Sequence, residues 1–263
     1  MKKVKSSDGT LIAYEKTGEG PPMVLVHGGT TDHTSWKLVL PMLAKHFTTY
    51  AIDRRGRGKS GDSSDYRVEL EFEDVVAVVN MIDEPVILLG HSSGGFIALE
   101  AALRTENLSK LILNEPTLIP KEDDNLKAAL EEIADKLESV LREKGNEEAL
   151  VFFLENLQKI SSDEIDILRK TSWSAMANEI PTLPRELKAF KDYNFNAERF
   201  KDLTVPTMLL HGSESLPRQK NAIKILDKTL PESTIMELED QTHFALITDP
   251  DLYADEVIKF ARA

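Results

Sequence analysis

The sequence predicts an α/β fold: a mostly parallel, twisted sheet with helices on both faces and one helical insertion. Three observations carry this. Short apolar runs alternate with segments of helical period through the first 116 residues. That rhythm stops over residues 117–200, which contain helical spacing and no strand-like run. It then resumes to the end of the chain, so 1–116 and 201–263 read as one core domain and 117–200 as a cap inserted into it.

In order, Leu11–Tyr14 follows an Asp8-Gly9 turn, as in an opening antiparallel hairpin. Met23–Val26 is a strand of buried type ending at His27-Gly28-Gly29, and Trp36–His46 carries helical spacing. Thr49–Ile52 is a strand ending at Asp53, Glu69–Met81 a helix, and Pro85 opens the strand Val86–Leu89. Phe96–Leu103 is helical and Leu111–Asn114 is the next strand. In the insertion, Leu126, Leu130, Ile133, Leu137 and Leu141 recur at helical spacing after the acidic run Glu122-Asp123-Asp124, and Gly145 stops them. A second helix is expected over Glu147–Ile160. A third starts at Ser161, with Glu164 completing a capping box, and Pro181 and Pro184 punctuate the end of the region. The core resumes with the strand Pro206–Leu210, a helix over Gln219–Leu230, the strand Thr234–Leu238 and a helix over Leu252–Ala261.

Composition narrows the function classes. Of 263 residues, 32 are basic and 45 acidic, a formal charge of −13, which argues against nucleic-acid and anionic-membrane partners. The absence of cysteine rules out disulfides, thiolate catalysis and cysteine zinc sites. Met1-Lys2-Lys3-Val4 leads into a polar segment rather than a signal core, and no apolar run approaches the ~20 residues of a bilayer span. The expectation is a cytoplasmic protein whose partner is a small-molecule substrate. No cofactor or metal is expected, and nothing in the sequence specifies an oligomeric state.

The most informative stretch is Gly90-His91-Ser92-Ser93-Gly94. Gly-x-Ser-x-Gly alone also occurs in glycine-rich turns without chemistry. Here it lies between a buried-type strand and a helix, the setting in which a sharp turn exposes a nucleophilic serine. A serine hydroxyl needs a base, an orienting acid and donors for the developing oxyanion. Of six histidines, His243 follows the strand ending near Leu238 and is placed at the carboxyl edge of the sheet, beside Ser92. His27, His91 and His211 are read as structural, and His33 and His46 receive no role. The main-chain N–H groups of Ser93 and Gly29 are the oxyanion candidates.

These segments resemble the α/β-hydrolase fold superfamily, specifically a capped, serine-hydrolase or esterase-like branch. The matching residues are His27-Gly28-Gly29, Asp53 to Ser60, Gly90 to Gly95 and His243, spanning nearly all of the chain outside the cap. The resemblance implies an eight-stranded sheet, a Ser-His-acid triad and a structural loop at Asp53–Ser60. It also exposes a departure. Many relatives carry an aspartate three residues beyond the glycine that ends the penultimate strand. Here that glycine is Gly212 and the residue is Ser215, which holds no charge. Some capped relatives carry their acid after an earlier strand, which favours Glu115. Glu214 is the alternative, and Asp240 is read as a turn residue.

The expected chemistry is hydrolysis of a small carboxylic ester or lactone through an acyl-enzyme, with Ser92, His243 and Glu115 catalytic. Carbon–carbon bond hydrolysis, perhydrolysis and hydroxynitrile cleavage on the same triad stay open, as does a non-catalytic ligand receptor. Among the large apolar residues of the cap, Phe152, Phe153, Trp173 and Met176 are candidates to shape an acyl pocket, most of them serving as cap core.

Overall fold

Eight strands form one sheet: β1 (Lys2–Lys5), β2 (Leu11–Thr17), β3 (Pro22–Val26), β4 (Thr48–Ile52), β5 (Val86–His91), β6 (Leu108–Asn114), β7 (Thr207–Gly212) and β8 (Ser233–Leu238). The computed structural model describes residues 1–263 and orders them β1-β2-β4-β3-β5-β6-β7-β8. From β4 to β8 all neighbours run parallel, while β1 and β2 form the antiparallel hairpin at one edge. The central strands β3, β5 and β7 are buried at every position, so their sequences read as continuous apolar runs rather than alternating ones. At the far edge β8 is more polar and leaves Ile235 exposed.

The core helices are α1 (Leu40–Leu43), α2 (Val68–Asn80) and α3 (Ser93–Ala102), followed after the insertion by α9 (Pro217–Thr229), α10 (Ala245–Thr248) and α11 (Pro250–Arg262). Helix α3 packs on β3, β5 and β6 with α2 alongside it; α9 covers β7 and β8, and α1 pairs with α11. The expected helix over Trp36–His46 is a correction. The chain instead forms a 3₁₀ turn (His33–Trp36) and the single turn α1. Trp36, Val39, Leu43 and Phe47 are buried at helical spacing, but successive turn bonds such as Val39 N–H to Trp36 C=O supply it. Pro41 within that stretch lacks the N–H that a continuous helix would use.

Between β6 and β7 the chain is helical: α4 (Asp124–Lys144), α5 (Asn146–Phe153) with a π-helical extension (Leu154–Gln158), α6 (Ser162–Thr171), α7 (Trp173–Glu179) and α8 (Leu183–Asp192). Asp123 caps α4, Gly145 ends it at φ +93°, and the Ser161–Glu164 capping box opens α6. Pro181 and Pro184 do not close the region as expected. They lie in the first turns of a 3₁₀ segment (Ile180–Thr182) and of α8, where a missing N–H costs no helical bond. A single parallel bridge, Pro120 with Phe195, ties the outgoing chain to the returning one. No helix is long and apolar enough to cross a membrane.

Candidate active site

In a parallel sheet the loops leaving the carboxyl ends of the strands share one edge. Gly29 follows β3, Ser92 follows β5, Glu115 follows β6, Ser215 follows β7 and His243 follows β8. Ser92 is held at φ +57°, ψ −123°, an unfavourable conformation for a residue with a side chain. Glycines make the bend possible. A Cβ on Gly90 would lie 2.3 Å from the Gly94 carbonyl oxygen, and one on Gly94 would lie 2.3 Å from those of Val26 and His27.

Glu115, not Glu214, meets His243. Glu115 Oε2 lies 2.5 Å from His243 Nδ1, so Nδ1–H donates to the carboxylate and Nε2 is the ring nitrogen left outside that contact. The other carboxylate oxygen accepts from the Gly212 N–H at 3.0 Å and from the Ser215 hydroxyl. Ser215, at the position where the resemblance led one to expect an aspartate, therefore braces the carboxylate that reaches His243 from the end of β6. Burial is the largest influence on the Glu115 carboxyl and pushes its pKa up. The contacts with His243, Ser215 and Gly212 together outweigh burial and hold it below the usual carboxylate value. Glu115 is also at φ +46°, directly before Pro116, so two strained residues, Ser92 and Glu115, flank the same cavity. Glu214 is exposed, and only its main-chain N–H is engaged, with Gln241 C=O.

Close backbone contact sets the loops side by side. A Cβ on Gly212 would stand 2.0 Å from the Gln241 carbonyl oxygen, so β7 ends against the turn that carries Asp240 (φ +55°) toward His243. His91 packs on His243, with ring centroids 4.6 Å apart, and its Nε2 donates to the His243 carbonyl at 3.0 Å. Burial, then the neighbouring His243, lowers the His91 pKa to about 3. Ser92 and His243 border the same cavity without a direct hydrogen bond between them.

The N–H groups of Gly29 and Ser93 donate to no protein acceptor. The Gly28 carbonyl accepts from His27 Nδ1 (2.8 Å) and Arg54 Nη1 (3.1 Å). Because the peptide is trans, the Gly29 N–H points the opposite way. Arg57 grips the Gly29 carbonyl through Nε at 3.0 Å and Nη2 at 2.6 Å. Both arginines come from the loop after β4, read from sequence only as structural; they orient this turn. Arg54 also binds Glu71 through two contacts, at 2.7 and 2.8 Å, and Ser93 Oγ at 2.8 Å. Glu186 of α8 joins Arg54 and Arg57. Nothing in the sequence pattern pointed to Glu186, because a lone glutamate in a helix normally faces solvent.

The cavity is walled by the insertion as well as the core, including Leu118, Leu126, Phe153, Met176 and Leu183. Of the four large cap residues expected to matter, Phe153 and Met176 border it. Trp173 instead donates to Glu147 and stacks with Arg169, and Phe152 packs on the core cluster. His27 Nε2 accepts the Arg54 N–H at 3.0 Å, a structural role, and His211 at the end of β7 donates from Nδ1 to the Gly212 carbonyl at 3.0 Å. His33 is a correction. Its Nδ1 lies 2.6 Å from Asp53 Oδ1, and its main-chain N–H binds the same oxygen at 2.9 Å, fixing the start of the arginine loop. Asp32, His33 and Asp53 could approach a metal ion, but Asp53 is engaged by His33 and Lys59, and Asp32 caps Thr34.

The Alpha/beta hydrolase family profile matches residues 23–256, most of the chain. The chain belongs to this family. As an alpha/beta hydrolase it has esterases among its relatives. It is 25% identical over 261 residues to a pimeloyl-(acyl-carrier protein) methyl ester esterase of Nitrosospira multiformis, covering 95% of this chain and 98% of that one. An alpha/beta hydrolase from Sphaerobacter thermophilus superposes with a TM-score of 0.82 at 30% identity, covering 99% of this chain and 100% of the other. An esterase from a Rhodococcus species gives 0.82 at 26%, covering 100% and 98%. This alpha/beta hydrolase is therefore a hydrolytic enzyme.

Proposed function

We propose that the protein hydrolyses small carboxylic esters or lactones by a serine acyl-enzyme mechanism. The observation that carries the proposal is the buried His243–Glu115 pair, braced by Ser215, beside a serine on a strained turn. Ser92 Oγ attacks the acyl carbon while His243 Nε2 takes its proton. The carbonyl electron pair moves onto oxygen, which accepts from the Gly29 and Ser93 N–H groups. As the oxyanion collapses, the bond to the leaving oxygen breaks and His243 returns the proton to it. Water activated by the same imidazole then attacks the acyl-enzyme, releasing the acid and restoring Ser92. Glu115 stays ionised, fixing the tautomer and stabilising the transient imidazolium.

Esterase relatives and a cleft of largely apolar lining support this reading. Serine at the elbow favours acyl transfer over chemistry that passes through an aspartyl ester. The test is labelling with a fluorophosphonate probe at about pH 8, together with turnover of short 4-nitrophenyl esters. Both are expected in the wild-type protein and neither in Ser92→Ala. Folded wild-type protein that neither labels nor turns over would favour a ligand receptor instead.

A further inference from the structure

Arg218 is the arginine or lysine that borders the cavity, and its charge has no partner. Its Nη2 donates to the neutral Gln158 Oε1 at 3.2 Å, and no carboxylate lies within ion-pair distance. The two acids lining the same cavity are already committed, Glu115 to His243 and Glu186 to Arg54 and Arg57. Arg54 and Arg55 offer the contrast. Burial works against their charge, but their carboxylates outweigh it and raise both pKa values. For Arg218 crowding by protein dominates and lowers the pKa, with the more distant Glu115 as the one offset. The residue as a whole remains exposed while also bordering the cavity.

The position is also wrong for helix stability. Arg218 is the second residue of α9, whose first turn contains no acid. A cation there opposes the helix macrodipole, which favours negative charge at that end. A locally unfavourable charge at the mouth of a reaction cleft indicates that something outside the chain compensates it.

We propose that Arg218 binds a carboxylate carried by the substrate, remote from the bond that is cleaved. The planar guanidinium matches a carboxylate with two parallel N–H donors, and Gln158, from the insertion, shares the rim. The acyl or leaving group of the preferred substrate is then that of a half-ester or an acid-bearing ester, with its apolar segment along the aliphatic walls. This inference rests on the esterase reading for its chemistry but not for its binding.

Two substrate pairs and one binding measurement test it. The acyl side is read with 4-nitrophenyl hydrogen glutarate against the methyl-capped diester, and the leaving-group side with 4-carboxyphenyl butanoate against phenyl butanoate. In one of the pairs, Arg218→Met is expected to lower the ratio of kcat/KM for charged over neutral substrate by about tenfold, mainly through KM. Arg218→Lys should recover part of it, and added salt should compress the difference. Ratios equal in wild type and Arg218→Met for both pairs overturn the proposal. Glutarate binding, measured by calorimetry without turnover, separates the two ideas. Binding lost in Arg218→Met but present in an inactive wild type leaves the carboxylate site standing and removes the esterase reading. No saturable binding by the wild type, or equal binding by both proteins, removes the carboxylate site.

Discussion

At the scale of single residues, Ser215 bears on how a carboxylate reaches His243. A hydroxyl cannot orient an imidazole by charge, but here it donates to the carboxylate that contacts His243. Glu115→Gln keeps the shape while removing the charge, and is expected to lower kcat on a 4-nitrophenyl ester by roughly 10²–10⁴ with little change in KM. Because Ser215 touches Glu115, adding Ser215→Asp to Glu115→Gln returns a carboxylate to the same locale and should recover at least about tenfold. A double variant no faster than Glu115→Gln shows that the two acid positions are not equivalent here. The buried histidines set a second expectation. His91 titrates near 3 when folded against an ordinary 6.5, so between these values the unfolded chain binds more protons. Stability is therefore intact above about pH 6.5 and falls as pH drops toward 3, at up to about 1.4 kcal/mol per unit for this group. His27, driven well below its ordinary value first by burial and then by Arg54, acts in the same direction. His33, raised by Asp53, acts oppositely: its contribution is full below about 6.5 and is lost as pH rises through its folded value. Urea unfolding near pH 7 and pH 5 should show His91→Asn losing about 1–2 kcal/mol less than wild type between the two. An equal loss would mean that His91 does not titrate as a buried neutral ring.

At the scale of elements, the Gly90–Gly94 turn was readable because two periodicities meet at it, a buried run on one side and a helical pattern on the other. The Trp36–His46 segment was misread for a related reason: consecutive turns bury side chains at the same spacing as a helix, and only the hydrogen bonds differ. Glu115 could be singled out because the resemblance to capped relatives directs attention to the end of this earlier strand, and it lies against His243. The role of Ser215 was invisible, since a serine's partners depend on where another strand's side chain arrives. Arg54, Arg57 and His33 escaped for the same reason: their partners lie on other elements, up to 132 residues away in the case of Arg54 and Glu186. The glycines of the turn give a direct test of element packing. At Gly94 an added methyl would meet two main-chain oxygens of the β3 end, which cannot rotate away as a side chain can. Gly94→Ala is expected to destabilise by about 1–3 kcal/mol, and to lower kcat by displacing the Ser93 N–H. Thermal unfolding that matches wild type would show that α3 can retreat from β3 at no cost.

For the molecule as a whole, one buried network joins the insertion to the sheet at the point where the cavity forms. Glu186 on α8 meets both arginines of the loop after β4, all with side chains about 1% exposed. From the same helix, Leu183 lies 3.1 Å from where a Cβ on Gly29 would stand. The arginines in turn hold the Gly28 and Gly29 carbonyls, so the placement of the insertion and the orientation of the candidate oxyanion donors depend on the same charges. A second link, Arg185 to Asp62 at 2.8 Å, is half-exposed and screened. Removing one carboxylate from the buried network leaves Arg57 without an acidic partner in a place water cannot easily reach. Glu186→Ala should therefore destabilise by about 3–5 kcal/mol, whereas Asp62→Asn should cost less than about 1 kcal/mol. The two variants also separate in activity. Glu186→Ala releases Arg57 from its carboxylate and loosens its hold on the Gly29 carbonyl, so kcat should fall even where the protein remains folded; Asp62→Asn should leave kcat near wild type. Urea denaturation and ester turnover on the pair check both statements. Equal stability losses would show that the insertion is held by its apolar contacts, with the buried charges contributing no more than a surface ion pair.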